Sequence, residues 1–146
     1  MKIYLYLMLL MLMGCDSINS KISKIYPSEN LESEVPFIII PNAGCPGCIS
    51  SAENLLIKYR GSNCINFYLT RVVSKKKLKI KLGYDVLEYE NIVLDSLDIL
   101  SEVNVSGFYP VIIYPDNSYF EISPDYPNAV NELEGYLEHN CHDIER

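Results

Sequence analysis

Apolar residues change their spacing several times along this chain, and each change marks an element. "VPFIII" at 35–40 is an unbroken run of β-branched and aromatic residues, the pattern of a strand buried on both faces. Pro41, Asn42 and Gly44 then supply turn chemistry. Over 46–59 the apolar positions become Ile49, Ala52, Leu55, Leu56 and Tyr59, spaced by three and four, which predicts one face of a helix. Gly61 closes it. "CINFYLTRVV" at 64–73 reads as a second strand. "SKKKLKIKLG" allows two readings, a half-exposed strand by alternation or a short solvated helix. "ENIVLDS" predicts a strand and "LDILSEVN" a short helix. "PVIIY" and "SYFEIS" flank "PDN" as a hairpin. A closing helix over 127–140 carries Ala129, Val130, Leu133, Tyr136 and Leu137 on one side. Strands separated by helices, then a hairpin, predict an α/β domain whose mixed sheet starts parallel and ends antiparallel. There is no internal repeat.

Upstream of residue 35 the pattern is of another kind. "MKIYLYLMLLMLMGC" places Lys2 before an apolar run over 3–13. That run is shorter than the roughly 20 residues a bilayer span needs, and suits the core of a secretory signal. Leu12-Met13-Gly14-Cys15 follows, and resembles a bacterial lipobox, in which the cysteine is acylated and the peptide is cut before it. The alternatives are an ordinary signal peptide or an N-terminal helix with an incidental cysteine. Residues 16–34 are polar and read as a tether; the competing reading is a helix carrying Ile18, Ile22 and Ile25, ended by Pro27. The expected organisation is therefore a signal peptide over 1–14, lipidated Cys15 and a tether over 15–34, and a folded domain over 35–146.

Length and charge narrow the partners. The 146 residues hold one domain, and 49% hydrophobic residues can form its core. The net charge is −7, from 19 acidic and 12 basic side chains. Such a chain lacks the basic face that nucleic acid requires, and anionic lipid repels it, so membrane attachment falls to the lipid on Cys15.

The chemistry concentrates in "AGCPGC". Cys45 and Cys48 stand where the buried strand ends and the helix begins. The first turn of a helix carries unpaired N–H groups and partial positive charge. A thiolate there is stabilised and becomes a nucleophile near neutral pH. Pro46 suits the first helical position, where no N–H is needed. The two-residue gap lets the sulfurs meet, with Cys45 exposed as the attacking thiol and Cys48 shielded to resolve the mixed disulfide. A c-type haem site would need histidine after Cys48, where Ile49 stands, and a zinc site would offer a second close pair. His139, Cys141 and His142 at the tail are a weak metal set against the plainer reading of a frayed terminus.

"VPFIII" followed by "AGCPGC", with "VSGFYPVIIYPDN" downstream, resembles the thioredoxin superfamily, and the inserted stretch from Ser74 to Asp95 resembles its extracytoplasmic membrane-anchored branch. The resemblance covers about residues 35–140. It implies a three-layer fold, a central mixed sheet flanked by helices with a C-terminal antiparallel hairpin, and a redox-active disulfide that uses no cofactor and no metal. By the same resemblance Pro110 would be a cis-proline beside the cysteines. Tyr109, Pro46 and Gly47 would meet the partner, whose backbone adds as a strand before the proline. The family's buried strand acid is absent, and Glu53, Glu90 and Asp95 are the nearest carboxylates in sequence. In such a fold the strand after the first helix and the end of the last helix share the end remote from the thiols. Cys64 and Cys141 could then form a structural disulfide, or remain separate thiols. Tyr109, Tyr114, Tyr119 and Tyr126 would gather near the proline and hairpin, either as a peptide-binding surface or as packing.

The expected function is that of a lipid-anchored thiol–disulfide oxidoreductase of the bacterial envelope. Its partners would be protein thiols or disulfides there, among them a redox partner of its own. The alternative is a non-enzymatic envelope module whose disulfide only rigidifies a loop.

Overall fold

The computed structural model describes residues 35–98, 100, 107–116 and 118–141. These belong to the second of two compact units, Glu32–Arg146. The signal segment, Cys15, the tether, the hairpin residue Asn117 and His142 lie outside the described residues, as does most of the expected short helix over 97–104.

A five-stranded mixed sheet organises the fold. Strand β1 (Phe37–Pro41) lies at its centre, and all five of its residues are buried. β2 (Asn66–Thr70) pairs with β1 in parallel, and β3 (Ile92–Leu94) extends the sheet in parallel beyond β2. On the other side β4 (Val111–Ile113) runs antiparallel to β1, and β5 (Tyr119–Glu121) closes the hairpin. The order is β3-β2-β1-β4-β5. This mixed topology, parallel first and antiparallel last, follows the order expected from the sequence. The uninterrupted apolar run of β1 has its reason here. A strand with neighbours on both edges and cover on both faces leaves no position for a polar residue.

Three α-helices, α1 (Pro46–Tyr59), α2 (Lys75–Leu82) and α3 (Ala129–Asn140), and a short 3-10 helix (Val86–Glu88) accompany the sheet. Their apolar faces join one cluster with Ile38, Ile40, Phe67, Leu69 and Ile112. Register puts Ile38 opposite both Phe67 and Ile112, so that row lies on one side of the sheet. Phe37, Ile39, Tyr68, Val111 and Ile113 point the other way and are also buried.

The ambiguous lysine stretch is helical. Alternation would have placed Leu78, Ile80 and Leu82 on one face. Instead Leu78 and Leu82, four apart, are buried while Ile80 is exposed. Ser74 decides the start, because its Oγ accepts the Lys77 N–H at 3.3 Å. Lys81 then reaches back to Glu53 of α1 at 2.7 Å.

Local chemistry also fixes the end of α1. Gly61 has φ +75°, the left-handed conformation that ends helices at little cost. Buried Asn91 binds this turn from three sides. It accepts the Gly61 N–H at 2.9 Å and donates to the Tyr59 and Ile65 carbonyls at 3.0 Å each. Cys64 sits within the segment so held.

Candidate functional site

Cys45 and Cys48 are joined by a disulfide with their Cα atoms 5.3 Å apart, within the usual range for such a bond. Cys45 is the N-cap of α1, and Pro46 takes the first helical position. The cap makes no side-chain hydrogen bond, and the first turn contains no acidic residue. The N–H groups of Gly47 and Cys48 therefore stand at the positions that an N-cap side chain normally serves. Cys45 is half-buried, Cys48 is 9% exposed, and Pro46 and Gly47 between them are open to solvent. One sulfur-bearing residue is thus accessible at the positive end of a 14-residue helix and the other is shielded behind it.

The loop before β4 closes over this site. The Cys45 N–H donates to the Phe108 carbonyl at 2.9 Å. Gly44 makes the approach possible. A Cβ on it would overlap the Phe108 carbonyl oxygen and come within 2.8 Å of the carbonyl carbon. Arg71, at the end of β2, holds the same loop one residue earlier. Its guanidinium donates to the Gly107 carbonyl at 2.6 Å. Arg71 itself has φ +56°, and its N–H donates to Asp98 Oδ1 at 3.1 Å.

Sequence reasoning put Tyr109 and Pro110 in this role and missed Phe108, Gly44 and Arg71. Pro110 is buried two residues after Phe108, but no peptide bond among the described residues is cis, so the expected cis-proline is corrected to trans. The loop is tied on both sides of that bond. Phe108 binds Cys45, and the Pro110 carbonyl accepts the Ile122 N–H at 2.8 Å. Both anchors are satisfied with the intrinsically favoured isomer. Tyr109, half-buried, packs on the same core cluster as Cys45. The one sequence signal for the missed contact was the glycine directly before the first cysteine, a residue type that admits close backbone approach.

The three carboxylates nearest in sequence part company. Glu53 is buried two turns into α1, where it binds Lys81. Asp95 is buried and accepts the Leu100 N–H at 2.8 Å. Glu90 is exposed.

The tyrosines also separate. Tyr109 precedes β4 on the disulfide side, whereas Tyr114 follows β4 at the opposite end of the sheet, where Ile113 pairs with Phe37. Tyr114 and Tyr126 belong to an aromatic cluster with Phe120 and Tyr136. Tyr119 is exposed. The expected single grouping around the proline is therefore two groups.

Cys64 and Cys141 form the second disulfide, with Cα atoms 5.7 Å apart. Cys141 is the C-cap of α3. Bonded in this way it is not a free thiolate for the tail metal set, and no group of three metal-ligating side chains occurs among the described residues.

Fold and site together define an α/β domain with a disulfide at a helix N-terminus under a backbone clamp. Comparison with models of known protein families and with curated proteins finds no match.

Proposed function

We propose that this chain is a thiol–disulfide exchange protein with a thioredoxin-like fold, held to the bacterial envelope membrane by lipid on Cys15. The observation that carries the proposal is the place of the Cys45–Cys48 disulfide, half-exposed at the N-terminus of α1. On reduction, a Cys45 thiolate becomes the anionic N-cap that the helix otherwise lacks. It attacks one sulfur of a partner disulfide, forming a mixed disulfide and releasing the partner's first thiolate. Cys48, as thiolate, then attacks Cys45 Sγ. The Cys45–Cys48 bond forms, the second partner thiolate leaves, and two electrons have passed to the partner. The reverse sequence oxidises a partner dithiol.

Exposed apolar side chains on the side of the molecule that carries the pair offer a surface for a partner. The C-terminal ends of β1, β2 and β3 and the N-terminal end of β4 share one side of the molecule. Val73 follows β2, Leu97 follows β3 and Phe108 precedes β4, and these apolar side chains are 92%, 80% and 71% exposed. A partner segment with apolar residues beside its cystine would cover them.

The trans Tyr109–Pro110 bond favours a second reading, a binding module whose Cys45–Cys48 bond only stiffens the loop. Exchange assays separate the two. Wild type should accelerate the reduction of insulin by dithiothreitol, Cys45→Ser should return it to the background rate, and Cys48→Ser should accumulate mixed disulfides. Cys15→Ser should move the chain from the membrane fraction to the soluble fraction. A wild-type rate equal to background would abandon exchange for the binding module.

A further inference from the structure

Half of the 12 basic side chains in this acidic chain fall in one stretch that contains no acid: Arg71, Lys75, Lys76, Lys77, Lys79 and Lys81. The molecule as a whole carries −7 and repels an anionic partner. This stretch reverses the sign locally, and its first member belongs to the clamp over the disulfide. Arg71 donates one N–H to the Gly107 carbonyl at 2.6 Å, and the next carbonyl, of Phe108, accepts the Cys45 N–H. A guanidinium has five N–H groups and does not lose its charge. Among the described residues Arg71 makes no ion pair. Asp98 brings one carboxylate to this neighbourhood, bound to the Arg71 backbone N–H, and Asp95 is buried on the Leu100 N–H.

Lys75, Lys76 and Lys77 form the first turn of α2 and are exposed. That is the positive end of the helix, where acids are favoured and cations are not. The turn has no acidic residue, and among the described residues none of these three lysines makes an ion pair. Lys81, at the far end of α2, does so with Glu53. The helix is held by the burial of Leu78 and Leu82 instead. The fold thus gains nothing from the charge of its first turn. Val73, open to solvent, stands between Arg71 and the lysines and adds an apolar contact to the cationic stretch.

We propose that Arg71 and the first turn of α2 recognise an acidic segment of the protein whose cystine exchanges with Cys45–Cys48. This rests on the exchange reading and names the class of its partner. Carboxylates flanking the partner's cystine would meet the Arg71 fork and the lysines, while its apolar side chains cover Val73 and Phe108. An anionic lipid surface has the same sign but fits less well, because pressed against Arg71 it would cover the clamp and shut Cys45 away from its partner. Exposed charges of this kind act on the rate of encounter more than on the strength of the finished complex, so the test reads rates.

The full chain, in maltoside micelles whose headgroup is uncharged, is given dithiothreitol and peptides of one length with the same internal cystine, flanked by glutamates, glutamines or lysines. kcat/KM should be about ten-fold higher for the glutamate peptide than for the glutamine peptide, and lowest for the lysine peptide. The order should flatten between about 20 mM and about 500 mM salt, as screening tightens. Lys75→Gln, Lys76→Gln and Lys77→Gln combined should cut the glutamate-to-glutamine ratio to about three-fold or less, and adding Arg71→Gln should bring it to about one. Because a ratio is read, a general loss of rate through the clamp does not imitate the result. The same peptides with serine for both cysteines carry no sulfur chemistry, and their binding, followed by fluorescence anisotropy, should keep the same order. If no peptide is reduced above background while this order holds, the exchange reading fails and the acidic docking face stands without it. Equal rates and equal binding for the glutamate and glutamine peptides overturn the proposal. So does co-sedimentation of the Cys15→Ser chain with phosphatidylglycerol vesicles that the triple lysine substitution abolishes, which gives the face to lipid.

Discussion

The two disulfides resemble each other in burial and differ in almost everything else. Each joins a half-buried cysteine, Cys45 or Cys64, to one that is 9% or 8% exposed, Cys48 or Cys141. Exposure therefore does not separate them. Helix polarity does. Cys45 caps the N-terminus of α1, where a thiolate is stabilised, while Cys141 caps the C-terminus of α3, where the helix presents partial negative charge. Span separates them too, three residues against 77 along the chain. The lesson is that one kind of bond takes its role from the field around the sulfur and from the length of chain it closes. Under the proposed exchange function, the bond at one end of the molecule would open and the bond at the other would stay shut.

Removing each pair gives the largest expected effects. In the chain-entropy account, closing the long loop disfavours the unfolded state by about 4–5 kcal/mol, and closing the short one by about 2 kcal/mol. Cys64→Ser with Cys141→Ser should therefore lower the unfolding free energy by about 4–5 kcal/mol while exchange at Cys45 continues. Cys45→Ser with Cys48→Ser should cost less than half of that and end exchange. Urea unfolding followed by circular dichroism, run beside the insulin assay, checks both. Equal losses of stability in the two double variants would erase the distinction by span.

Gly44→Ala is a smaller perturbation confined to the disulfide end. The added methyl group collides with backbone, the Phe108 carbonyl, which cannot swing aside as a long side chain would. Either the Cys45–Phe108 hydrogen bond lengthens or the loop held by Arg71 shifts. A cost of about 1–3 kcal/mol is expected from overpacking of this kind. Because the clamp sits on Cys45, the exchange rate should change as well. Unfolding and insulin reduction measured on the same variant show whether the clamp serves the site; a stability loss with unchanged exchange would make it purely structural.

Legibility in sequence divides along similar lines. α1 spans the residues that its apolar spacing predicted, because propensity, periodicity, Pro46 at its start and Gly61 at its end all agree. β1 and the hairpin were readable for the same reason. The stretch over 75–82 was not, since Leu78, Ile80 and Leu82 satisfy alternation as well as they satisfy a helix, and only the Ser74 cap and the burial of Leu78 and Leu82 choose between them. At the site, the cysteine pair and its helix end came from spacing alone. The clamp did not. It is built from backbone groups of Cys45, Gly107 and Phe108, and a carbonyl belongs to every residue, so sequence carries no mark of which one is used. The expected cis bond at Pro110 failed for a related cause. A proline permits either isomer, and the anchors around it decide.

The smallest effect belongs to the end away from the disulfide of α1 and depends on pH. Burial is the main cause that pushes the Tyr114 hydroxyl up to about 12 from the ordinary 10.0, with the nearby Glu132 carboxylate adding to it. In the unfolded chain this tyrosine gives up its proton near pH 10, while in the folded chain it keeps it until about pH 12. Across that window the unfolded state binds fewer protons, so stability falls as pH rises. Below pH 10 the full contribution is present, and it is lost progressively on the way to pH 12. The side chain is partly open to water, and screening there keeps the change modest. Tyr114→Phe removes the titrating group and keeps the ring, so its melting temperature should decline less steeply than that of wild type between pH 9.5 and 11 (roughly the onset of the linkage window). Parallel melting curves for wild type and Tyr114→Phe would count against the burial assigned to this tyrosine.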